Sequence, residues 1–412
     1  MMCQRYTSAT AQRKSLREGV SYDWPSDRSL GDAQLGVCAS TNESNAMIIN
    51  SQAIEQTIDR DERAQFHKEL VVVRARGADT PAHEDGVPLA MIRKRAVEVK
   101  DTLAPVILLH GYGQNRYVWH LPSRSLFNYL ARAGFDVFNL ELRGHGRSRH
   151  LGAHPPRDVR VFVEEDLPAA ISEVERLSGG RAPYLIGHSL GGLLAYAAAA
   201  VMGDRVAGVA TLGSPYQFTR GSLTLQLVAT LMQAVDRKMP LGHGVLPLKP
   251  LSEAMRLARG FIESPIFPLP IRGFAPRSLE PLILGQHMAL AMDTGSISVL
   301  RTMFLSAADA RRGGHALGAL TEYAEAFEAL DLPLLVIAGS KDDLAPPASV
   351  EPAFLRSRSS DKTYRVFPRG HIDLVMGRDC PQTIWPLLLS WLTRRVRLAK
   401  ERGERDVRPA VG

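Results

Sequence analysis

The run Gly187-His188-Ser189-Leu190-Gly191 constrains this chain more than any other stretch. The apolar Pro183-Tyr184-Leu185-Ile186 leads into it as a strand, and Leu193-Leu194-Ala195-Tyr196-Ala197-Ala198-Ala199-Ala200 leaves it as a helix. A serine set between glycines at such a junction is the G-x-S-x-G elbow, a strained strand-to-helix turn that exposes the hydroxyl. Gly187 and Gly191 are needed because a side chain at either would collide where strand and helix converge. The helix start also places backbone N–H groups beside the Ser189 hydroxyl.

The rest of the chain supplies a frame for that turn. Residues 67–74 and 88–95 read as two strands joined through a Gly/Asp/Pro-rich turn, suited to an antiparallel sheet edge. Short apolar strands follow at 106–109, 135–140, 208–212, 334–338 and 363–367. Helical stretches separate them, among them Leu167, Ile171, Val174 and Leu177 at helical spacing, with Asp166 as expected N-cap and Gly179-Gly180 as the stop. This alternation predicts an α/β fold, a mainly parallel sheet with helices on both faces. From Ser214-Pro215 to about Gly318 the alternation fails, and Pro240, Pro247, Pro250, Pro265, Pro268 and Pro270 punctuate short Leu- and Met-rich pieces. That region reads as an inserted helical cap at 217–316, lying over the strand ends where open α/β sheets bind ligands. The core is then 65–216 with 317–400. Residues 1–64, rich in Ser, Asn, Thr and Asp without periodicity, read as a disordered N-terminal extension, and 401–412 as a flexible tail.

A serine is a weak nucleophile at neutral pH and needs a base that an acid orients. In an elbow fold the chain order is serine, acid, histidine. The strand ending at Ala338 is followed by Gly339-Ser340-Lys341-Asp342-Asp343-Leu344-Ala345-Pro346, and the last strand by Pro368-Arg369-Gly370-His371-Ile372-Asp373. Ser189 is therefore the expected nucleophile, His371 the general base and then acid, and Asp342 the group that fixes the imidazole. Asp343 and Asp373 compete for the acid role; the G-x-x-D-x-x-x-P spacing favours Asp342. The reaction also needs donors for an oxyanion. Leu190 N–H is the first, and Tyr112 N–H, in the loop His110-Gly111-Tyr112-Gly113-Gln114-Asn115, is the second. His110 reads as a loop brace, and His145 and His188 as structural.

With His110-Gly111-Tyr112-Gly113, Arg143-Gly144-His145-Gly146-Arg147-Ser148, the elbow and Gly370-His371 in this order, the chain resembles the α/β-hydrolase superfamily from about residue 67 to 396. Gln114-Asn115, Asp166-Leu167-Pro168-Ala169-Ala170 and Gly370-His371-Ile372-Asp373 resemble its acid-lipase and esterase branch. Polyhydroxyalkanoate synthases are similar but carry cysteine at the elbow, and haloalkane dehalogenases and epoxide hydrolases carry aspartate. Ser189 thus implies hydrolysis of carboxylic esters through an acyl-enzyme, and the Leu- and Met-rich cap an apolar acyl chain. Two other readings remain: an acyltransferase with an alcohol or thiol acceptor, and a non-catalytic binding protein that kept the fold. Glu141 stands where the family often has Asp.

Composition narrows the setting. Hydrophobic residues make up 45% and charged residues 23%, as in ordinary globular proteins. The net charge of +7 comes from scattered basic residues, which reads as a solvated surface and no nucleic-acid partner. Cys3, Cys38 and Cys380 are too few and too far apart for a disulfide framework or a zinc site. No run reaches the ~20 apolar residues of a membrane span, and the first twenty residues lack the apolar core of a secretory signal. The expectation is a cytoplasmic protein acting on a small apolar ester without metal or organic cofactor. Peripheral membrane contact through the basic residues 394–397 is the one membrane association the sequence suggests.

Overall fold

The computed structural model describes residues 46–77, 85–238, 244–258, 260, 273–310 and 318–406. Among them the strands are β1 Ala46–Asp59, β2 Glu62–Ala75, β3 Val87–Ala96, β4 Pro105–Leu109, β5 Asp136–Glu141, β6 Tyr184–His188, β7 Gly208–Leu212, β8 Val245–Pro247, β9 Thr294–Ser296, β10 Leu334–Gly339 and β11 Lys362–Phe367. Nine form one sheet in the order β1-β2-β3-β5-β4-β6-β7-β10-β11, while β8 and β9 make a separate ribbon. From β5 to β11 every pair is parallel; β1, β2, β3 and β5 are joined antiparallel.

The parallel strands are buried on both faces, which is why they read as continuous apolar runs. Ile107, Leu109, Leu185, Val209, Leu334 and Val336 point into one core, against the helix Leu190–Met202. The alternate residues Val106, Leu108, Ile186, Ala210, Leu335 and Ile337 point into the other. There they meet Trp385, Leu388 and Leu392 of the C-terminal helix Ile384–Asp406. The two-residue period of the strand sorts one sequence into two cores. The loops after β4, β6, β7, β10 and β11 all leave the same, C-terminal edge of the sheet.

After β7 the chain leaves the sheet and returns only at β10. Its excursion carries the helices Leu223–Lys238, Leu248–Leu257, Pro281–Gln286 and Ile297–Ala310 with the β8–β9 ribbon between them. The first and last of these helices pack together through Leu225, Ala229 and Phe304. Leu225 is thus inward-facing, whereas Leu223, Leu227 and Leu231 of the same helix face solvent.

Three expectations need correction. Residues 46–64 are not a disordered extension: they form β1 and the start of β2, with β1 as the sheet edge. Its apolar residues do not alternate, and Met47, Ile48 and Ile49 are exposed while Ile58 is buried, so its ladder to β2 holds it without the pattern a half-buried strand shows. Residues 1–45 lie outside the described residues, as do 407–412, but the last helix runs through 401–406 to Asp406. Finally, Asp166 caps nothing. Its backbone is already helical, because a π-helical turn at Phe162–Asp166 runs straight into the helix Leu167–Leu177. Its buried carboxylate instead receives the Arg143 guanidinium, with Nε at 2.8 Å from Oδ1. Glu141 is likewise consumed internally, accepting both bonds from Arg116 Nη1 at 2.8 and 2.9 Å and the Arg147 N–H at 3.0 Å.

Candidate active site

Ser189 sits between β6 and the helix Leu190–Met202 with φ 54° and ψ −122°, a conformation that costs a non-glycine residue ~1–3 kcal/mol. Packing enforces it. A Cβ on Gly187 would run into the backbone of Gly191 and Gly192, and one on Gly191 into the carbonyl oxygens of Leu109 and His110. The helix therefore lies almost on top of the two strand ends. The N–H groups of Gly192 and Leu193 return to the Ser189 carbonyl at 3.1 and 3.3 Å. Leu190, the first helical residue, has an N–H with no acceptor one turn back.

His371 and Asp342 meet across the ends of β11 and β10. His371 Nδ1 lies 2.8 Å from Asp342 Oδ2, with both side chains buried. The other oxygen, Asp342 Oδ1, accepts the N–H groups of Leu344 at 2.9 Å and Ala345 at 2.7 Å. The turn thus fixes the carboxylate, and the carboxylate fixes the ring with its proton on Nδ1 and Nε2 free to accept. The rival carboxylates serve other bonds. Asp343 Oδ1 accepts Gly273 N–H at 3.1 Å, and Asp373 Oδ2 accepts Ala275 and Gly370 N–H at 2.7 and 2.9 Å.

Electrostatics separates His371 from the other buried histidines nearby. Burial pushes His110 and His287 down to about 4, and His188 well below its ordinary value. His145 also falls to about 4, through burial and then the neighbouring His110. Burial acts against a charge on His371 too. Asp342, by charge and hydrogen bond, with Asp343 and Asp373 beyond, nevertheless holds it above 6.5. His110 is a brace: Nε2 accepts Leu142 N–H at 3.1 Å, so Nδ1 donates to the Gly111 carbonyl at 2.9 Å. His188 Nε2 lies 3.2 Å from the His371 carbonyl and donates to it, tying the elbow to the histidine loop.

The loop after β4 passes beside the serine: a Cβ on Gly111 would lie 3.1 Å from Ser189 Cβ. Gln114 Oε1 holds this loop from within by accepting Gly111 N–H at 3.1 Å. From outside, the excursion grips it. Tyr112 Oη donates to the Ser296 carbonyl at 2.9 Å, Asn115 N–H to Ala291 at 3.0 Å, and Asp293 N–H to Gly113 at 2.8 Å. Asp293 also accepts Gly146 N–H at 2.8 Å and pairs with Arg149 at 2.7 Å. The sequence marks Gln114 and His188 but not the partners they hold, and it does not mark Asp293 at all. Asp293 carries no local signal, since Gly146 and Asn115 lie 147 and 178 residues away in the chain.

Tyr112, Ser189 and His371 line one cavity of about 290 Å³. Its other walls are overwhelmingly apolar, among them Leu225, Leu248, Met255, Met288, Met303 and Phe304, all from the excursion. Such a mixture, a few convergent polar groups in an apolar chamber, is that of a small-molecule site. Among the described residues no group of three or more His, Cys, Asp or Glu is placed to hold a metal ion. No helix among them is long and apolar enough to cross a membrane.

The family model described as alpha/beta hydrolase fold matches residues 104–377. Epoxide hydrolase A of Mycobacterium tuberculosis is 32% identical over 125 residues, 30% of this chain and 36% of that protein. A probable alcohol acetyltransferase of Saccharomyces cerevisiae is 36% identical over 109 residues, 26% of this chain and 29% of that one. A tear acid lipase-like protein of Mesocricetus auratus is 34% identical over 128 residues, 28% and 32% of the two chains. The chain thus spans about a third of the length of the curated relatives it matches. The solved monoacylglycerol lipase of Paleococcus ferrophilus superposes with a TM-score of 0.48 at 21% identity, over 74% of this chain and 99% of that one.

Proposed function

This chain belongs to the alpha/beta hydrolase fold family, and on that premise we propose that it is a serine hydrolase of carboxylic esters with apolar acyl chains. One observation carries the reading: a strained Ser189 shares an apolar cavity with His371, whose ring Asp342 fixes with its proton on Nδ1. In this reading Ser189 Oγ attacks the ester carbonyl while His371 Nε2 takes its proton. The Tyr112 and Leu190 N–H groups receive the oxyanion. His371 then protonates the leaving alcohol, and a water activated by the same nitrogen releases the acid and restores Ser189. Asp342 stays ionised and stabilises the imidazolium. The residues of 217–316 act as a cap whose apolar wall takes the acyl chain and keeps bulk water from the acyl-enzyme.

A serine at the elbow favours this reading over epoxide opening, despite the similarity to an epoxide hydrolase. The similarity to a probable alcohol acetyltransferase supports a second outcome of the same acyl-enzyme, capture by an alcohol in place of water. A fluorophosphonate probe tests the common step: it labels the native protein at Ser189 and leaves Ser189→Ala unlabelled. A native protein that stays unlabelled overturns both outcomes. Product analysis of p-nitrophenyl esters of increasing acyl length, with and without ethanol, then separates hydrolysis from transfer.

A further inference from the structure

On the antiparallel side of the sheet, away from Ser189, lies a small pocket of about 100 Å³ lined by Asn50, Gln52, Lys68, Leu70, Ile92 and Arg147. It is far larger than one water needs. Register places Lys68 of β2 directly opposite Lys94 of β3, and Gln52 of β1 opposite Lys68 on the other side. Like charges directly opposite on neighbouring strands repel. Lys94 is fully buried and has its own acceptor, Asn128 Oδ1 at 2.7 Å, besides Gln56. Lys68 is half-buried and, like the Arg147 guanidinium, has no side-chain hydrogen bond or ion pair among the described residues. Glu141, which accepts the Arg147 backbone N–H, is already committed to the Arg116 guanidinium.

Burial and the Arg147 and Arg116 charges depress the Lys68 ammonium below its ordinary value, so these cations do act on one another. A fold that brings Lys68 beside Arg147 and Arg116, with only Arg116 paired to a carboxylate, leaves positive charge in a partly dehydrated place. An anion in the pocket offsets it most directly, because charge-assisted bonds from ammonium and guanidinium to an oxyanion are short and strong. We propose that this pocket binds a phosphate-sized oxyanion between Lys68 and Arg147, with the Asn50 and Gln52 amides at its rim. The same chemistry is offered by free phosphate and by the phosphate of an anionic lipid headgroup.

The test is calorimetric titration of the full chain with inorganic phosphate, at fixed ionic strength set by chloride, alongside thermal melting. The expected result is saturable binding with a rise in Tm. Lys68→Met and Arg147→Gln should each weaken binding about tenfold or more, while Lys100→Met, at an exposed site, should not. In phosphate-free buffer Lys68→Met should melt no lower than the native chain, since it relieves repulsion; a variant that simply folds badly melts lower in both buffers. Flotation with phosphatidylcholine vesicles, with and without phosphatidic acid, asks for the headgroup source. Lys68-dependent capture by phosphatidic acid alone supports the site with a lipid source. No saturable phosphate binding and no such capture, or binding unchanged in both variants, overturns it.

Discussion

Replacing Asp342 by Asn tests the proposed site most sharply, because the structure dictates how the asparagine must sit. Asp342 Oδ1 accepts two backbone N–H groups, from Leu344 and Ala345. An asparagine keeps those bonds only with its carbonyl oxygen at that position, which turns its NH2 toward His371 Nδ1 at the place of Oδ2. Two N–H groups cannot face each other, so the imidazole gives up its Nδ1 proton and carries it on Nε2. A ring protonated on Nε2 cannot take the Ser189 proton. The expected loss in kcat is ~10⁴-fold, as for other triads forced into the wrong tautomer, or about 5.4 kcal/mol of transition-state stabilisation. The fold should survive, since both turn bonds are kept. The assay is kcat/KM on p-nitrophenyl butyrate, with circular dichroism and Tm as folding controls. Asp343→Asn, whose native contact is to Gly273 N–H, should stay within about tenfold of the native enzyme. An Asp342→Asn enzyme as active as Asp343→Asn would refute both the assigned acid and the tautomer argument.

Three further predictions follow from the same geometry. His371 must be neutral to act as a base and is held above 6.5, so kcat/KM should fall as pH drops through a midpoint above 6.5; a midpoint at or below that value contradicts the Asp342 pairing. The same raised value means that His371 protonation favours the folded state, a contribution fully present below the unfolded pKa and lost as pH rises through the folded one. Gly191→Ala drives a methyl into the Leu109 and His110 carbonyls and should cost ~1–3 kcal/mol or more in urea unfolding. Gly285→Ala, in open space on a helix, should instead gain ~0.4–1 kcal/mol. Asp293→Asn removes the charge that receives Arg149 and Gly146 N–H, so stability should fall by ~1–3 kcal/mol and kcat more than KM rises, because the loop carrying Tyr112 loosens. An unchanged kcat would show that this clamp does not position the loop.

Much of the candidate site was readable because its first part, the elbow, is local. The elbow needs only small residues at 187 and 191 and a strand and helix on either side, all within one short stretch. Chain order then pointed to the turns after two separate strands, and the G-x-x-D-x-x-x-P spacing favoured Asp342 within the first. The central strands were legible because burial on both faces leaves unbroken apolar runs. The edge strand β1 was not, since its apolar residues neither alternate nor run unbroken and its pairing with β2 is what makes it a strand. Asp166 misled for a related reason: an acidic residue before a helical pattern looks like a cap, while in space its carboxylate meets Arg143.

The amino-acid sequence by itself determined the backbone turn that presents Ser189, because steric exclusion at neighbouring glycines acts over a few residues. Only the tertiary structure decided which carboxylate meets His371, since Asp342 and Asp343 are adjacent in the chain and differ by which way the turn aims them. It also decided what grips the Tyr112 loop from outside, for Ser296 and Asp293 lie 184 and 178 positions from Tyr112 and Asn115, and which excursion residues wall the cavity. Local sterics can be read along a chain. The meeting of distant side chains depends on how the sheet and its excursion close over one another.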